Sequence, residues 1–381
     1  MSDRLTIPSS RTARIATSTV FALHAALFAA WTPYVPEVKT ALGLHEGALG
    51  LALLGAPAGS MAAMLVVGFV LARWGSRKVV LAGLIAYALT GPLLGLVGSG
   101  GQLFAALAVW GAFQSTADMA MNTQAVTVER EYGRPIMSSF HAWWSLGAFL
   151  GAGVGALALG AGVTLLQELA VLGALIVLVA PLLVRCMRDG DQAEPGQHFA
   201  LPWRQPGLLV LAWIGFTALL CEGAAADWSV LYLRESLQAP AQVAGAAYAV
   251  FAMSMFVGRA LGDRWVQRFG ERTLIRTLAA LGAVGLAVAL LVGHPLIAFV
   301  GLAALGVGLA CMVPVVFSAA ARVPGSHPGQ SIAAVATTGW VGFLLGPPLI
   351  GNLAHATSLP LALGLLPLLC ASVLPAARAL R

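Results

Sequence analysis

Residues 277–321 read TLAALGAVGLAVALLVGHPLIAFVGLAALGVGLACMVPVVFSAAA, without one Asp, Glu, Lys or Arg. The hydrocarbon core of a bilayer is about 30 Å thick and needs ~20 apolar residues per crossing. The stretch is too long for one crossing and right for two, with Gly293-His294-Pro295 as the turn between them. Residues 79–117 and 323–377 are also free of charge and break in the same way, at Gly98–Gly101 and at Thr357–Pro360. Shorter charge-free runs at 47–72 and 236–258 fit one crossing each. Across all 381 residues, 59% are hydrophobic and 9% charged, against roughly 25% charged in a soluble domain. That composition excludes a soluble globular enzyme, a disordered chain and a nucleic-acid binder. Glycine, at 44 residues, suits close helix packing in lipid.

The pattern predicts an all-α polytopic membrane protein with twelve helices, near 14–37, 46–72, 77–97, 102–128, 134–160, 163–186, 207–235, 241–267, 273–293, 295–320, 328–355 and 358–378. Residues 187–206 are the one long polar linker, so the expected organisation is a six-helix bundle over 1–186, a linker over 187–206 and a second bundle over 207–381. Cations set the sidedness. Of 21 Lys and Arg, 19 fall on one side, Arg73, Arg77, Arg259, Arg264 and Arg322 among them; Lys39 and Arg234 fall on the other. Both termini and the linker are then cytoplasmic, and the net charge of +6 reflects topology. No signal-peptidase site follows the first apolar run, so helix 1 is expected to stay as an anchor. Cys186, Cys221, Cys311 and Cys370 have no metal-ligand spacing and read as free thiols in apolar surroundings.

The two bundles repeat each other. Residues 68–78 read Gly-Phe-Val-Leu-Ala-Arg-Trp-Gly-Ser-Arg-Lys, and residues 258–272 read Gly-Arg-Ala-Leu-Gly-Asp-Arg-Trp-Val-Gln-Arg-Phe-Gly-Glu-Arg. Both follow the second helix of a bundle. Gly147, Gly151 and Gly155 recur four apart in helix 5, as Gly342 and Gly346 do in helix 11; these read as packing seams. Two parallel repeats with a solute site between them is a transporter plan.

With these motifs the sequence resembles the major facilitator superfamily along nearly its whole length. The family's loop motif is Gly-x-x-x-Asp-Arg-x-Gly-Arg-Arg. The first copy here keeps Gly68, Arg73, Gly75, Arg77 and Lys78 and has Ala72 in place of the acid; the second keeps Gly258, Asp263, Arg264 and Gly270. In the family this loop latches the cytoplasmic side, which makes Arg73, Arg77, Asp263 and Arg264 gating candidates. A narrower resemblance is to the fucose–proton symporter branch and to bacterial inner-membrane permeases related to it. It rests on Asp118, Asn122 and the run Ser138-Ser139-Phe140-His141-Ala142-Trp143-Trp144-Ser145-Leu146-Gly147-Ala148, with Glu222-Gly223-Ala224-Ala225-Ala226-Asp227-Trp228 in helix 7. The sequence departs from that branch in helix 1, which has no acid before Glu37. The fucose assignment therefore does not carry over.

An ionised side chain at the bilayer centre costs roughly 2.5–3.5 kcal/mol on insertion scales, so the intramembrane acids are the first functional candidates. Asp118, Glu222 and His141 are the candidates for proton coupling, with a cluster of Asp118, Asn122 and His141 expected between helices 4 and 5. Each has a structural alternative: an acid that fixes helix packing, or a histidine satisfied in the core. His24, Asn122, Trp143, Trp144 and Trp340 are the candidates for the solute cavity, the tryptophans as faces for a sugar ring; core packing or lipid contact is the competing reading. Asp227 reads as an outer-gate or packing residue bonded to helix 1 or 11, and Asn352 and His355 as gate or surface residues. Gly151 is followed by Ala152 where the family's antiporters carry Pro, which favours symport or uniport. Gly346-Pro347-Pro348 should bend helix 11.

The expected function is proton-coupled symport of a small polar solute, a sugar among the candidates, by alternating access. The partners are that solute, the proton and membrane lipid, with no cofactor, no metal and no nucleic acid; one chain holds both repeats and could work alone. The bacterial inner membrane is the expected location. Efflux of drug-like or metabolite compounds by proton antiport is the first rival, and a non-transporting membrane receptor the second. The sequence has no zinc-type His-Glu-x-x-His and no Gly-x-Ser-x-Gly elbow, so an intramembrane enzyme is not expected.

Overall fold

The computed structural model describes residues 9–133, 136–188, 206–320, 322–323 and 328–380. These residues form twelve long helices and, among them, no strand. They are α1 (Ser10–Ala41), α2 (Glu46–Trp74) and α3 (Ser76–Gly95), then α4 (Gly100–Tyr132), α5 (Met137–Gly160) and α6 (Leu165–Arg185). The second set is α7 (Gly207–Ser236), α8 (Ala241–Phe269), α9 (Glu271–Val292) and α10 (Pro295–Ala320), then α11 (Pro328–Ala356) and α12 (Leu359–Ala379). Eleven are long and apolar enough to cross a bilayer. The remaining helix, α4, is long enough but carries Gln102, Gln114, Ser115, Thr116, Asp118, Asn122, Thr123 and Gln124. A spanning helix can hold that many polar groups only where it is shielded from lipid, and α4 packs against α1, α2 and α3. The linker expected at 187–206 falls mostly outside the described residues, as do Arg134 and Arg204.

Packing repeats with an offset of six helices. α1 packs on α5, α2 and α3 on α4, α3 on α6; likewise α7 packs on α11, α8 and α9 on α10, α9 on α12. The two sets meet through α2 against α11 and α5 against α8. The repeat extends to single dihedrals. Gly75, between α2 and α3, has φ 76° and ψ 152°, and Gly270, between α8 and α9, has φ 75° and ψ 157°. L side chains rarely adopt that conformation, so each motif needs its glycine for a one-residue turn.

The glycine ladders are seams. A Cβ on Gly147 or Gly151 would collide with the carbonyl of Ala22 or Ala26 on α1. α2 and α4 meet the same way, through Gly55, Gly59 and Gly111 against backbone. In α11 the ladder is looser: a Cβ on Gly342 would lie 2.5 Å from the Phe216 carbonyl oxygen, and one on Gly346 would lie 3.6 Å from that of Leu220.

The two sets close on each other at their outer ends. A Cβ on Gly50 of α2 would lie 2.5 Å from the Pro347 carbonyl oxygen of α11. The rings of His45 and His355 stack with centroids 4.1 Å apart. Lys39 Nζ, 8% exposed as a residue, donates to Glu46 Oε1 at 2.9 Å and to Glu235 Oε2 at 2.6 Å, which ties α1 and α2 to α7. At the cytoplasmic end two ion pairs among the described residues each lie within one set. Arg188 binds Glu131, and Arg322 reaches Glu271 at 2.6 Å. Glu129 Oε2 accepts from the Ile136 and Met137 amides at 2.7 and 2.6 Å, covering two of the free donors at the start of α5.

Candidate functional site

Polar groups at mid-span gather in two places. The first is in the first six helices. Asp118, halfway along α4, is half-buried, and its carboxylate makes no hydrogen bond or ion pair among the described residues. Its nearest functional neighbour is Tyr87 of α3, whose hydroxyl lies within electrostatic reach of it and is buried without a hydrogen-bond partner. Tyr87 is enclosed by rings: its centroid is 5.1 Å from His24 and 4.9 Å from Trp110. His24 Nε2 bonds the Gln114 carbonyl at 3.1 Å, so that nitrogen carries the proton and Nδ1 is left buried without a partner.

The expected cluster of Asp118, Asn122 and His141 takes a different form. Asn122 Nδ2 donates to the backbone carbonyl of Asp118 at 2.9 Å, a bond to its own helix. No hydrogen bond joins His141 to either residue among those described. His141 packs edge-on against Phe21 at 5.6 Å and lies within electrostatic reach of Arg259. The charged group within reach of His141 is thus Arg259 of α8, and the polar group within reach of Asp118 is Tyr87 of α3.

The second place joins the two sets. Arg259 was counted with the cytoplasmic cations, but it sits inside α8, well short of that helix's cytoplasmic end at Phe269. Its Nη1 donates to Ser145 Oγ on α5 at 2.8 Å. Its Nη2 faces both oxygens of Glu222 on α7 at 3.4 Å. Side-chain exposures are 12% for Arg259 and 13% for Glu222. Glu222, expected as a candidate for proton coupling, therefore has a cation beside it. Asp227, further along α7, is half-buried and makes no hydrogen bond among the described residues, to α1, α11 or otherwise.

An aromatic group connects these sites. Phe28 of α1 lies 6.3 Å from Trp110, 6.4 Å from Trp144 and 6.3 Å from Tyr248 of α8. Tyr248 is in electrostatic reach of Glu222, Arg259 and Asp227. Of the expected tryptophans, Trp144 belongs to this group. Trp143, one position on, is 47% exposed, and Trp340 packs on Phe343 at 5.6 Å within α11. Asp263 and Arg264 lie exposed at the cytoplasmic end of α8 and form no ion pair among the described residues; Arg73 is exposed and Arg77 half-buried.

Sequence reasoning missed Tyr87, Trp110, Phe28, Tyr248, Arg259 and the buried Glu168 of α6. Arg259 had a signal: it ends the charge-free run 236–258 a full helical turn before Asp263 and Arg264. The aromatics had none, because nothing in an apolar run separates a ring facing the interior from a ring facing lipid.

Residues 17–347 match the family model described as Major Facilitator Superfamily. An uncharacterised MFS-type transporter of Yersinia pestis is 34% identical over 370 residues, 96% of this chain and 95% of the relative. The membrane protein MosC of Rhizobium meliloti is 29% identical over 363 residues, 94% of this chain and 88% of the relative. Among solved structures, the nucleoside transporter NupG superposes with a TM-score of 0.73 at 14% identity, covering 96% of this chain and 98% of that one. FucP in its outward conformation gives 0.61 at 16% identity, over 95% and 99%. At such identities these two likenesses carry the fold.

Proposed function

The chain belongs to the Major Facilitator Superfamily, and from that membership we propose that it is a proton-coupled symporter of a small polar solute, with Asp118 as the acid that carries the coupling proton. It is an integral membrane transporter and not an enzyme, and its relatives are proteins of bacteria. The observation that carries the reading is the contrast between the mid-span acids. Glu222 has Arg259 beside it, whereas Asp118 and Asp227 are half-buried and form no ion pair or hydrogen bond through their carboxylates among the described residues, and of these two Asp118 is the one near the middle of its helix.

A carboxylate kept at bilayer depth without a counter-ion is costly unless it can take up a proton. Protonation would neutralise this site and let the loaded carrier reorient, with the helix sets rocking about a fixed solute site. The spacing of Asp118 and Asn122, which resembles that of the fucose–proton symporters, supports the same assignment. Of the rings around Phe28, Trp110 and Tyr248 are buried and Trp144 is half-buried, so Trp144 is the ring left to meet a solute, while Tyr248 connects the group to the polar residues of α7 and α8.

The test is solute-evoked alkalinisation of lightly buffered, de-energised cells, with a panel of sugars, polyols and small acids. Wild type should alkalinise the medium with one solute class, and Asp118→Asn should abolish the signal. A signal that survives the substitution removes Asp118 from the coupling role. Silence across the panel, with flux detected by export assays, replaces symport with efflux.

A further inference from the structure

The geometry points to Arg259 as the solute's anion site, held by Glu222 in the empty carrier, so that the transported solute bears a carboxylate. This rests on the reading of the chain as a solute carrier but not on the proton. Three observations carry it.

Arg259 is the only cation at mid-span among the described residues, and the solute must pass between the helix sets it joins. Its contacts on α5 and α7 bring residues of both sets to one guanidinium.

The Glu222 pair is loose where it should be tight. Attraction between charges grows as the surroundings become less polar, and a charge buried without a close partner is costly. The deep pair should therefore be the closest in the protein. Instead it stands at 3.4 Å, while Lys39–Glu235 and Arg322–Glu271, nearer the membrane surfaces, close to 2.6 Å. Both Glu222 oxygens share one Arg259 nitrogen, which leaves the two-pronged geometry of a good arginine–carboxylate pair unformed.

The guanidinium also has capacity to spare. Arginine offers five N–H donors, and Arg259 directs its Nη1 and Nη2 at protein groups while its Nε bonds nothing among the described residues. A solute carboxylate can take the fork that Glu222 fills poorly, with Ser145 holding the opposite edge. Charge is conserved in the exchange if the displaced Glu222 takes a proton as the anion binds.

The experiment is thermal melting of the purified, full-length protein in detergent. The probes are glucose, glucosamine, glucuronate and a series of mono- and dicarboxylates, all at equal ionic strength. The expected result is stabilisation by one or more carboxylates and by neither neutral nor amine compounds. Arg259→Gln should abolish it. Glu222→Gln, which removes the competing anion and keeps the side-chain shape, should bind the same carboxylate about tenfold more tightly. Stabilisation by glucose or glucosamine instead, a carboxylate effect that persists in Arg259→Gln, an affinity unchanged or weakened in Glu222→Gln, or no shift with any carboxylate would each overturn the assignment. Binding in detergent needs no proton gradient. Its failure leaves the symport reading standing, and a loss of alkalinisation in cells leaves the anion site standing.

Discussion

At the scale of single residues, the interior holds two kinds of polar group, those with a partner and those without. Gln124 is the first kind. It donates to Ser76 Oγ at 2.6 Å and to the Arg188 carbonyl at 2.9 Å, and accepts from the Arg188 amide at 3.0 Å. That fixes the cytoplasmic ends of α3, α4 and α6 to one another. Tyr87 is the second kind, its hydroxyl buried beside Asp118 with no bond. A buried polar group left unsatisfied costs about 1–3 kcal/mol, so its retention points to use and not to stability. Tyr87→Phe should therefore be as stable as wild type or more so, by up to ~1 kcal/mol, while transport slows. Thermal melting and uptake measured on one preparation check this, and a variant that is both less stable and fully active contradicts it. The contrast continues at Gln124→Ala. That change removes both Gln124 bonds to the Arg188 backbone and the one to Ser76, and should lower stability by about 1–3 kcal/mol, readable in the same melting assay.

At the scale of helices, the seams and the site differ in how far the sequence discloses them. The glycine spacing in α5 was legible because a backbone contact needs the same small residue at every turn, and Gly147 and Gly151 do meet α1 at Ala22 and Ala26. A matched pair of substitutions makes this quantitative. Gly151→Leu should drive the α1–α5 seam apart and cost on the order of 3 kcal/mol or prevent folding. Gly153→Leu, on a face where a Cβ meets nothing within 4 Å, should stay within ~0.5 kcal/mol of wild type. The helix count, the sidedness and the paired loop motifs were legible for a similar reason, since bilayer thickness and cation placement leave a record in composition. The candidate site was legible only in part. Asp118 and Glu222 stood out because a charge in an apolar run is conspicuous. Their partners did not. Spacing fixes which face of a helix a residue shares, but not which neighbouring helix that face meets, and this is why His141 was matched to Asp118 when it faces Arg259. The cations that follow in α8 hid Arg259, because Arg264 and Arg268 continue the series to the cytoplasmic end and make Arg259 read as the first of them. The most polar helix, α4, is the one that a hydropathy criterion passes over and the one that carries Asp118.

At the scale of the whole molecule, the described residues show a carrier sealed at its outer end. The seal has a backbone part, where α2 and α11 touch through Gly50, Pro347 and Gly351, and an ionic part, where Lys39 bridges Glu46 and Glu235. The two parts do different work. Backbone contact of this closeness excludes water and sets the geometry of closure. Lys39 is buried, and its ion pairs join groups that must separate whenever the outer side opens, so their energy falls almost entirely on one conformer. A ligand or a bond shifts a two-state equilibrium by its differential energy in the two states, and 1.4 kcal/mol is a tenfold change in population. Lys39→Gln should therefore lower the melting temperature and move the carrier toward its outward-open form by about tenfold. The opposite constraint should also act. With cysteines placed at His45 and His355, whose rings stack across the two sets, in a background freed of the four native thiols, a short bifunctional thiol reagent should hold the outer end shut. Uptake should then stop, and a reducible linker should restore it on cleavage. If the cross-linked protein still transports, the outer contact of α2 with α11 does not have to open, and rocking of one helix set against the other cannot be how this carrier works.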